Sequence, residues 1–230
     1  MSSNDSANQV GTFGCGFLPH CRRFSPALAL LVGILVIGSA TIGSPIIARA
    51  QSGALEATQD LVNQALRILG NKQAPLVQRR RELRDLLIPR FDFTEMSRSA
   101  LGYHWRSLDP QQRTDFTQVF TGFIQAAYLA KVQDYSGQQV QYGQARSLGQ
   151  NYAAVDTKIV QSGKSPINVN YLLEQTAQGW KVYDVAVDNI SIIANYRTQF
   201  NRVINQQGFP KLMADLRAKQ QQLGSELGQG

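Results

Sequence analysis

The segments that decide the fold lie between residues 152 and 187: YAAVDTKIV at 152–160, INVNYLLE at 167–174 and WKVYDVAV at 180–187. In each of them apolar and polar residues alternate, which is typical of a β-strand with one buried face. Turn-forming glycine, serine and proline residues separate the segments. Since short connections join neighbouring antiparallel strands, the sequence predicts an antiparallel meander, with a further strand around residues 140–142.

Helical spacing flanks the predicted sheet on both sides. Asp109 followed by Pro110 is typical of a helix start, and the helix that follows carries an aromatic stripe. Together with the meander, this order predicts an α+β fold in which helices pack on one face of a curved antiparallel sheet of four or more strands. The predicted helices lie at 54–69, 75–87, 92–102, from 110 onward, 193–204 and 211–223.

The first 50 residues have the features of an export signal. Arg22-Arg23 precedes a charge-free stretch at 24–48, and Ala48-Arg49-Ala50 offers the small residues that signal peptidase recognises. The alternative is a retained membrane anchor, because the charge-free run is long enough to span a bilayer. The predicted parts of the chain are a cleaved signal peptide at 1–50, a single domain at 51–223 and a flexible tail at 224–230.

The composition beyond residue 50 excludes several kinds of site. This part of the chain carries 20 Lys and Arg against 15 Asp and Glu, a formal charge of +5, with one histidine and no cysteine. A disulfide framework, a cysteine nucleophile and a Cys/His zinc site therefore lack their residues. Glycine-rich nucleotide motifs and the HExxH zinc motif are also absent from the sequence. We expect neither a cofactor nor a metal ion.

A few side chains are candidates for acid–base chemistry. His104 lies between two predicted helices, but a general base needs an orienting partner and spacing supplies none. We interpret it as a loop residue. Asp92, Asp184 and Asp188 are interpreted as caps and turns, so no catalytic residue is predicted. The alternative is an enzyme that acts on an apolar substrate with Asp184 as its base.

Arg79-Arg80-Arg81 is the densest cluster of charge. Basic clusters bind nucleic acid or anionic lipid surfaces. An exported domain seldom meets nucleic acid, and Glu82 dilutes the charge, so nucleic acid is not an expected partner. We interpret the cluster as a solvated helix face, and the alternative is that Arg79, Arg80 and Arg81 dock an acidic partner or a lipid headgroup.

Two blocks of sequence carry a resemblance to a known family. The first contains FDFTEM at 91–96, LGYHWR at 101–106 and PQQR at 110–113, and the second contains WKVYDV at 180–185, NISI at 189–192 and NYRTQF at 195–200. In this order they resemble MlaC-type phospholipid-binding proteins, a family also described as toluene-tolerance or auxiliary components of an ABC transport system. One departure is Asp188-Asn189, where many relatives have an acidic residue and glycine.

The resemblance implies a periplasmic carrier of glycerophospholipids and no enzymatic activity. Its implied partners are phospholipid as cargo, an outer-membrane lipoprotein complex, an inner-membrane ABC transporter with a lipid-binding ring subunit, and transiently the membrane surface. It also implies a cone-like fold of the nuclear-transport-factor type with an apolar cavity for acyl chains. A ligand-free interaction module of the same transport system is a further alternative.

A curved sheet that faces an aromatic helix can leave a wedge unfilled, although the simplest interpretation of the many large apolar residues is a packed core. Arg197 is placed near a headgroup, or else it pairs with Asp184 or Asp188. The residues predicted to line the acyl cavity are Phe116, Phe120 and Phe123 on the long helix, Val169, Tyr171, Val182 and Val185 on the strands, and Ile190 and Ile192 near the mouth.

Overall fold

The structure is a computed structural model that describes residues 45–130 and 134–228. Helices precede and follow a run of strands, as the sequence predicts. The helices are α1 Pro45–Gly70, α2 Leu76–Leu87, α3 Phe93–Leu101, α4 Pro110–Leu129, α5 Ile192–Gln207 and α6 Phe209–Gly228, and short 3₁₀ segments lie at Ile88–Arg90 and Gly102–Ser107. The strands are β1 Gln139–Gly149, β2 Tyr152–Val160, β3 Ile167–Thr176, β4 Gly179–Val187 and β5 Ile190–Ser191.

The five strands form one antiparallel sheet in the order β1-β2-β3-β4-β5. The α+β class and the meander are therefore confirmed. The two-residue strand β5 is an addition that the sequence does not indicate, because two residues are too few to show alternation. It is formed by a tight turn in which Asp188 and Asn189 both have positive φ, 47° and 66°.

The register of the strands defines two faces of the sheet, since directly opposite residues point to the same side. Three cross-strand rows define the face that we call the α1 face. They are Val140–Ile159–Ile167, then Thr157–Val169–Val187–Ile190, and then Ala145–Val155–Tyr171–Val185. The α1 face is thus largely apolar across the whole width of the sheet.

Helix α1 covers one end of the α1 face. Ala54 and Leu61 are buried together with Val155, Leu173 and Val182 of the strands. Their side chains recur at helical spacing on α1 and at alternate positions on the strands, so α1 and the α1 face of the sheet bury each other's apolar residues. This interface is the part of the core that positions the candidate site.

The helices are not confined to one face of the sheet, and this part of the prediction is wrong. Asp184 lies opposite Leu172, on the side away from Val185, and it accepts a hydrogen bond from the backbone N–H of Ile193 in α5 at 3.1 Å. The buried Ala154, beside Leu172, lies on that same side. Helical structure therefore covers part of both faces, because apolar residues occur on both sides of the strands.

The aromatic stripe of α4 faces other helices. Phe120 is fully buried, and its ring lies 5.5 Å from that of Phe200 and 5.6 Å from that of Tyr196, both in edge-to-face geometry. Phe116 and Phe123 join the same aromatic cluster. The start of α4 is as predicted: Asp109 accepts the N–H of Gln112 at 2.8 Å and forms a capping box with it.

The predicted export signal lies mostly outside the described residues. The described chain begins with α1, which runs without a break through the predicted cleavage site after Ala50. Residues 1–44, which hold most of the charge-free stretch, are not described, and neither are residues 229 and 230 of the predicted tail. In the ranges that are described, no helix is long and apolar enough to cross a membrane.

Candidate functional site

An apolar pocket of about 380 Å³ opens where α1 ends above the sheet. Leu66 and Leu69 of α1 form one wall, and the cross-strand row of Val140, Ile159 and Ile167 forms the other. The pocket therefore lies at the end of the interface between α1 and the sheet, where the side chains leave a volume unfilled. The remaining lining residues are Asp134, Tyr135, Gln138, Gln161, Lys164 and Ser165.

The α1 wall of the pocket is held in place by a buried arginine. Arg79 of α2 donates from Nη1 to the carbonyl oxygen of Leu69 at 3.2 Å. That carbonyl belongs to the last turn of α1, where free acceptors and the negative end of the helix dipole favour a cation. Arg79 therefore fixes the position of Leu69, which lines the pocket.

Tyr135, which lines the pocket, is held by a lysine that follows α1. Lys72 donates from Nζ to the carbonyl oxygen of Tyr135 at 2.8 Å, and its ammonium lies 5.1 Å from the centre of the Tyr135 ring. Both contacts tie the segment before β1 to the loop after α1. Gln138, Gln161 and Lys164 add polar side chains to the lining, and we call them the rim of the pocket.

The opposite face of the sheet has a different character. An open trough of about 560 Å³ runs along it, lined by side chains such as Arg146, Asp156, Asn168 and Asn170. Arg146 and Asp156 form a salt bridge at 3.1 Å, and Asn170 donates to the same carboxylate. Such a polar surface favours hydration, and it provides no apolar walls against which an apolar ligand could be buried.

The structure brings five of the predicted cavity residues onto the α1 face. These are Val169, Tyr171, Val182, Val185 and Ile190. Tyr171, Val182 and Val185 belong to the apolar cluster under α1. Val169 is buried in the cross-strand row next to the pocket. Ile190 lies in the same row, on the edge strand β5, and it is exposed. They share a face with the pocket lining, but none of the five lines the apolar pocket itself, and their contact with a ligand stays a prediction.

The other predicted residues lie elsewhere. Phe116, Phe120 and Phe123 lie in the aromatic cluster between α4 and α5, and Ile192 is buried at the start of α5. Arg197 is exposed on α5. Its positive charge acts on Asp184, so the predicted ion-pairing partner is close. These four apolar residues do not line the apolar pocket, and their role as cavity lining has no support from its geometry.

The interpretation of the arginine cluster as a solvated face is wrong for two of its three members. Arg79 and Arg80 are buried, and only Arg81 is exposed. The spacing within α2 does not show that the charge of Arg79 meets the C-terminal end of α1. Docking of a partner by Arg79, Arg80 or Arg81 stays a prediction.

Asp184 is part of the scaffold. Its carboxylate accepts hydrogen bonds from Ser191 Oγ at 2.5 Å and from the N–H groups of Val185 and Ile193. Burial raises the pKa of Asp184, and these three hydrogen bonds and Arg197 oppose that shift. Asp184 does not line the apolar pocket, so its position does not favour the alternative of an enzymatic base.

The other acid–base candidates are also engaged in the fold. Asp92 accepts the N–H of Glu95 at 2.8 Å as the N-cap of α3, as predicted. Asp188 accepts the N–H of Asn168 at 3.0 Å, and His104 Nε2 lies 2.7 Å from Asn201 Oδ1. Within the described ranges, no three His, Cys, Asp or Glu residues are grouped so that they could hold a metal ion.

Sequence reasoning missed the residues that line the pocket. Leu66 and Leu69 stand in the predicted stripe of α1, and Val140, Ile159 and Ile167 stand at alternate positions of predicted strands. The missing information was the register, which places the first residues of β1 and β3 beside the last residues of β2. Two irregularities of β1, between Tyr142 and Ala145 and between Ser147 and Gly149, shift this register, so strand alternation does not reveal the row.

The apolar pocket between α1 and the sheet is a concave, mostly apolar site of the kind at which proteins bind small molecules. The chain belongs to the MlaC family, because the sequence model described as MlaC protein matches residues 59–218.

Two relatives describe what the chain is similar to. It is 25% identical over 138 residues to the intermembrane phospholipid transport system binding protein MlaC of Haemophilus influenzae, and the match covers 58% of this chain and 64% of that protein. It is also similar to the solved structure of the phospholipid-binding protein from Ralstonia solanacearum in complex with a phospholipid. That likeness has a TM-score of 0.66 and 25% identity, and it covers 74% of this chain and 98% of the other.

Proposed function

We propose that this protein is a periplasmic carrier of phospholipids that holds acyl chains in the apolar pocket between α1 and the sheet. The observation that supports this most directly is the row Val140–Ile159–Ile167 facing Leu66 and Leu69 across an open volume of about 380 Å³. Membership of the MlaC family and the likeness to a phospholipid complex supply the chemical class of the ligand.

The energetics of lipid transfer explain why such a protein needs a pocket and no reactive group. Burial of a methylene is worth about 0.8 kcal/mol, so two acyl chains with ~30 methylenes carry on the order of 24 kcal/mol of gross transfer free energy. Desorption into water is therefore very slow. A pocket with apolar walls lowers this barrier, because the tails leave one apolar medium for another.

The size of the pocket bears on how a lipid is held. A volume of about 380 Å³ lies towards the lower end of the ~300–1,000 Å³ range of ligand pockets. It accommodates apolar tail segments, while the polar rim with Lys164 and Gln161 leaves the headgroup in solvent. A lipid with two bulky tails needs more volume than this, and we propose that the pocket then widens along the interface between α1 and the sheet.

Native mass spectrometry of the purified full chain tests this proposal. We expect complexes heavier than the protein by the mass of one phospholipid, which organic extraction removes. A protein that carries no lipid after expression in cells, and takes up none from added vesicles of phosphatidylethanolamine and phosphatidylglycerol, contradicts the proposal.

The partners follow from the same proposal. A carrier between membranes exchanges its cargo with a donor and an acceptor, and we propose an outer-membrane lipoprotein complex and an inner-membrane ABC transporter in these roles. The Haemophilus relative is named as the binding protein of an intermembrane transport system. Cross-linking from the pocket rim in intact cells tests this: adducts with components of such a transport system support it, and their absence at every rim position contradicts it.

A further inference from the structure

We infer that Tyr135 retains lipid in the apolar pocket by covering its opening beside the end of α1, and that Lys72 is a positioning residue which holds Tyr135 there. This inference rests on the proposed function, and it adds the step that limits how fast cargo enters and leaves the pocket.

The first observation is the position of the Tyr135 ring. Tyr135 is half-buried, and among the described residues that line the pocket it is the only aromatic one. A Cβ atom built on Gly70 would lie 4.0 Å from Tyr135 Cε1, so the ring reaches the last residue of α1. In the chain Tyr135 lies four residues before Gln139, where β1 begins. The ring therefore connects the end of α1 with the segment that enters the sheet.

The second observation is that Lys72 holds Tyr135 at two points. Its ammonium donates to the carbonyl oxygen of Tyr135 at 2.8 Å and lies 5.1 Å from the centre of the ring, within the range of a cation–π contact. The N–H of Lys72 donates to the carbonyl oxygen of Gly70 at 2.8 Å, which fixes Lys72 to the end of α1. Lys72 is exposed and does not line the pocket, so it acts on a lipid only through Tyr135.

The third observation is that the chain after Tyr135 is held by surface contacts and contains a glycine with positive φ. Gln161 donates from Nε2 to Ser136 Oγ at 2.8 Å, and both groups are in contact with solvent. Gly137 has a φ of 91°, and a Cβ atom built on it would meet nothing within 4 Å. Hydrogen bonds at the surface are readily exchanged for bonds to water, so the segment can move without disturbing the core.

Tyr135 differs in this respect from the apolar walls of the pocket. The apolar lining residues belong to α1 or to paired strands, whose backbone hydrogen bonds fix them in place. Tyr135 belongs to neither a helix nor a strand. When its contact with Lys72 breaks, the ring can turn outward while the walls stay where they are. The same movement admits a lipid and releases one, so it sets the rates of both steps.

Uptake and release kinetics of the full chain test the inference. The probe is a short-chain fluorescent phosphatidylethanolamine, kept below its critical micelle concentration so that neither rate depends on vesicles. Uptake is measured on delipidated protein and release by trapping with excess unlabelled lipid. K72M removes the ammonium and K72R keeps a cation, while K158M makes the same charge change at an exposed position in the polar trough. Y135A removes the ring, and Y135F loses only a long hydroxyl contact of 3.4 Å to the carbonyl oxygen of Gln138.

We expect K72M to raise the uptake and release rates together by about fivefold, since one hydrogen bond and one cation–π contact are lost. Y135A should raise both rates at least as much, and K72R, K158M and Y135F should match the unaltered protein. Unchanged rates in K72M or in Y135A overturn the inference. Faster release without faster uptake also overturns it, because Tyr135 would then be a wall contact. Failure of the proposed function is distinguishable, because the unaltered protein would then take up no probe and show no lipid in the mass spectrum.

Discussion

Ser191 donates its hydroxyl hydrogen to Asp184 Oδ2 at 2.5 Å, and this contact joins strand β4 to the start of α5. Ser191 Oγ in turn accepts the N–H of Ala194 at 2.9 Å as the N-cap of the helix. Asp184 Oδ1 accepts the N–H of Ile193 at 3.1 Å. The buried carboxylate and the serine thus share the free N–H groups at this helix end.

Replacement of Asp184 by alanine should destabilise the fold. The change leaves the Ser191 hydroxyl and the N–H of Ile193 without their buried acceptor, and we expect a loss of about 2–3 kcal/mol in the free energy of unfolding. Urea denaturation of D184A and of D184N measures it, and D184N should lose less because its amide oxygen still accepts. An unchanged stability of D184A would show that the carboxylate has no structural role.

Replacement of Phe120 by alanine tests whether the α4 stripe is core or cavity lining. The ring is fully buried among Phe116, Tyr196 and Phe200, so F120A should lose about 3–5 kcal/mol of unfolding free energy. Thermal and urea denaturation measure the loss, and F120L as a conservative control should lose much less. A stable F120A that no longer carries lipid would place Phe120 in the cavity, as the sequence predicts.

The aromatic stripe shows where sequence reasoning reached its limit. The spacing of Phe116, Phe120 and Phe123 correctly indicates that they share one buried face of a helix. Periodicity does not say which element that face meets, and here it meets α5 and α6. The strands were more predictable, because β2 lies at Tyr152–Val160 as predicted and short turns leave few ways to pair neighbours.

The pocket was less predictable, since it depends on what the side chains leave unfilled. Strand alternation placed Val169 and Val185 on the correct face, but the open volume lies one or two rows away at Val140 and Ile159. Helix α1 covers the intervening rows, and its position depends on contacts distant in sequence, such as the packing of Leu61 in one cluster with Val155 and Leu173. Local patterns carry no information on such contacts.

Glu174 should make the stability of the fold sensitive to pH. Burial, a hydrogen bond with Asp92 and the charges of Asp92 and Glu95 raise the pKa of Glu174 from 4.5 to about 7, and Arg98 opposes the shift. At pH values below 4.5 the group is protonated in both the folded and the unfolded state. Between 4.5 and about 7 the unfolded chain releases its proton first, so stability falls as the pH rises.

The variant E174Q removes this dependence. At about pH 8 we expect it to be more stable than the unaltered protein by about 1 kcal/mol, a value reduced for solvent screening of a half-exposed group. Near pH 4 the two proteins should differ little. Urea denaturation at both pH values measures the difference, and E56Q, at an exposed position of α1, is the control. A stabilisation of E174Q that is equal at both pH values would contradict the raised pKa of Glu174 as its cause.

The turn between β4 and β5 should respond to backbone preference. Asn189 has a φ of 66°, in the left-handed region where asparagine is tolerated, glycine is favoured and β-branched residues are strained. We expect N189G to gain up to about 0.5 kcal/mol of unfolding free energy and N189V to lose about 1–2 kcal/mol. N151G, in the turn between β1 and β2 where φ is negative, should not gain. A stability of N189V equal to that of the unaltered protein would contradict the turn geometry.

The lipid load of two neighbouring variants tests most directly whether the pocket holds acyl chains. Val140 lines the pocket, whereas Gln139 is exposed on the other side of the same strand. Full-length V140E and Q139E are purified in parallel, their folding is checked by circular dichroism, and native mass spectrometry gives the fraction of each that carries lipid. We predict that Q139E retains the load of the unaltered protein and that V140E loses at least ~90% of it, since a carboxylate in an apolar pocket excludes tails. Equal loads in the two folded variants would contradict the assignment of this pocket.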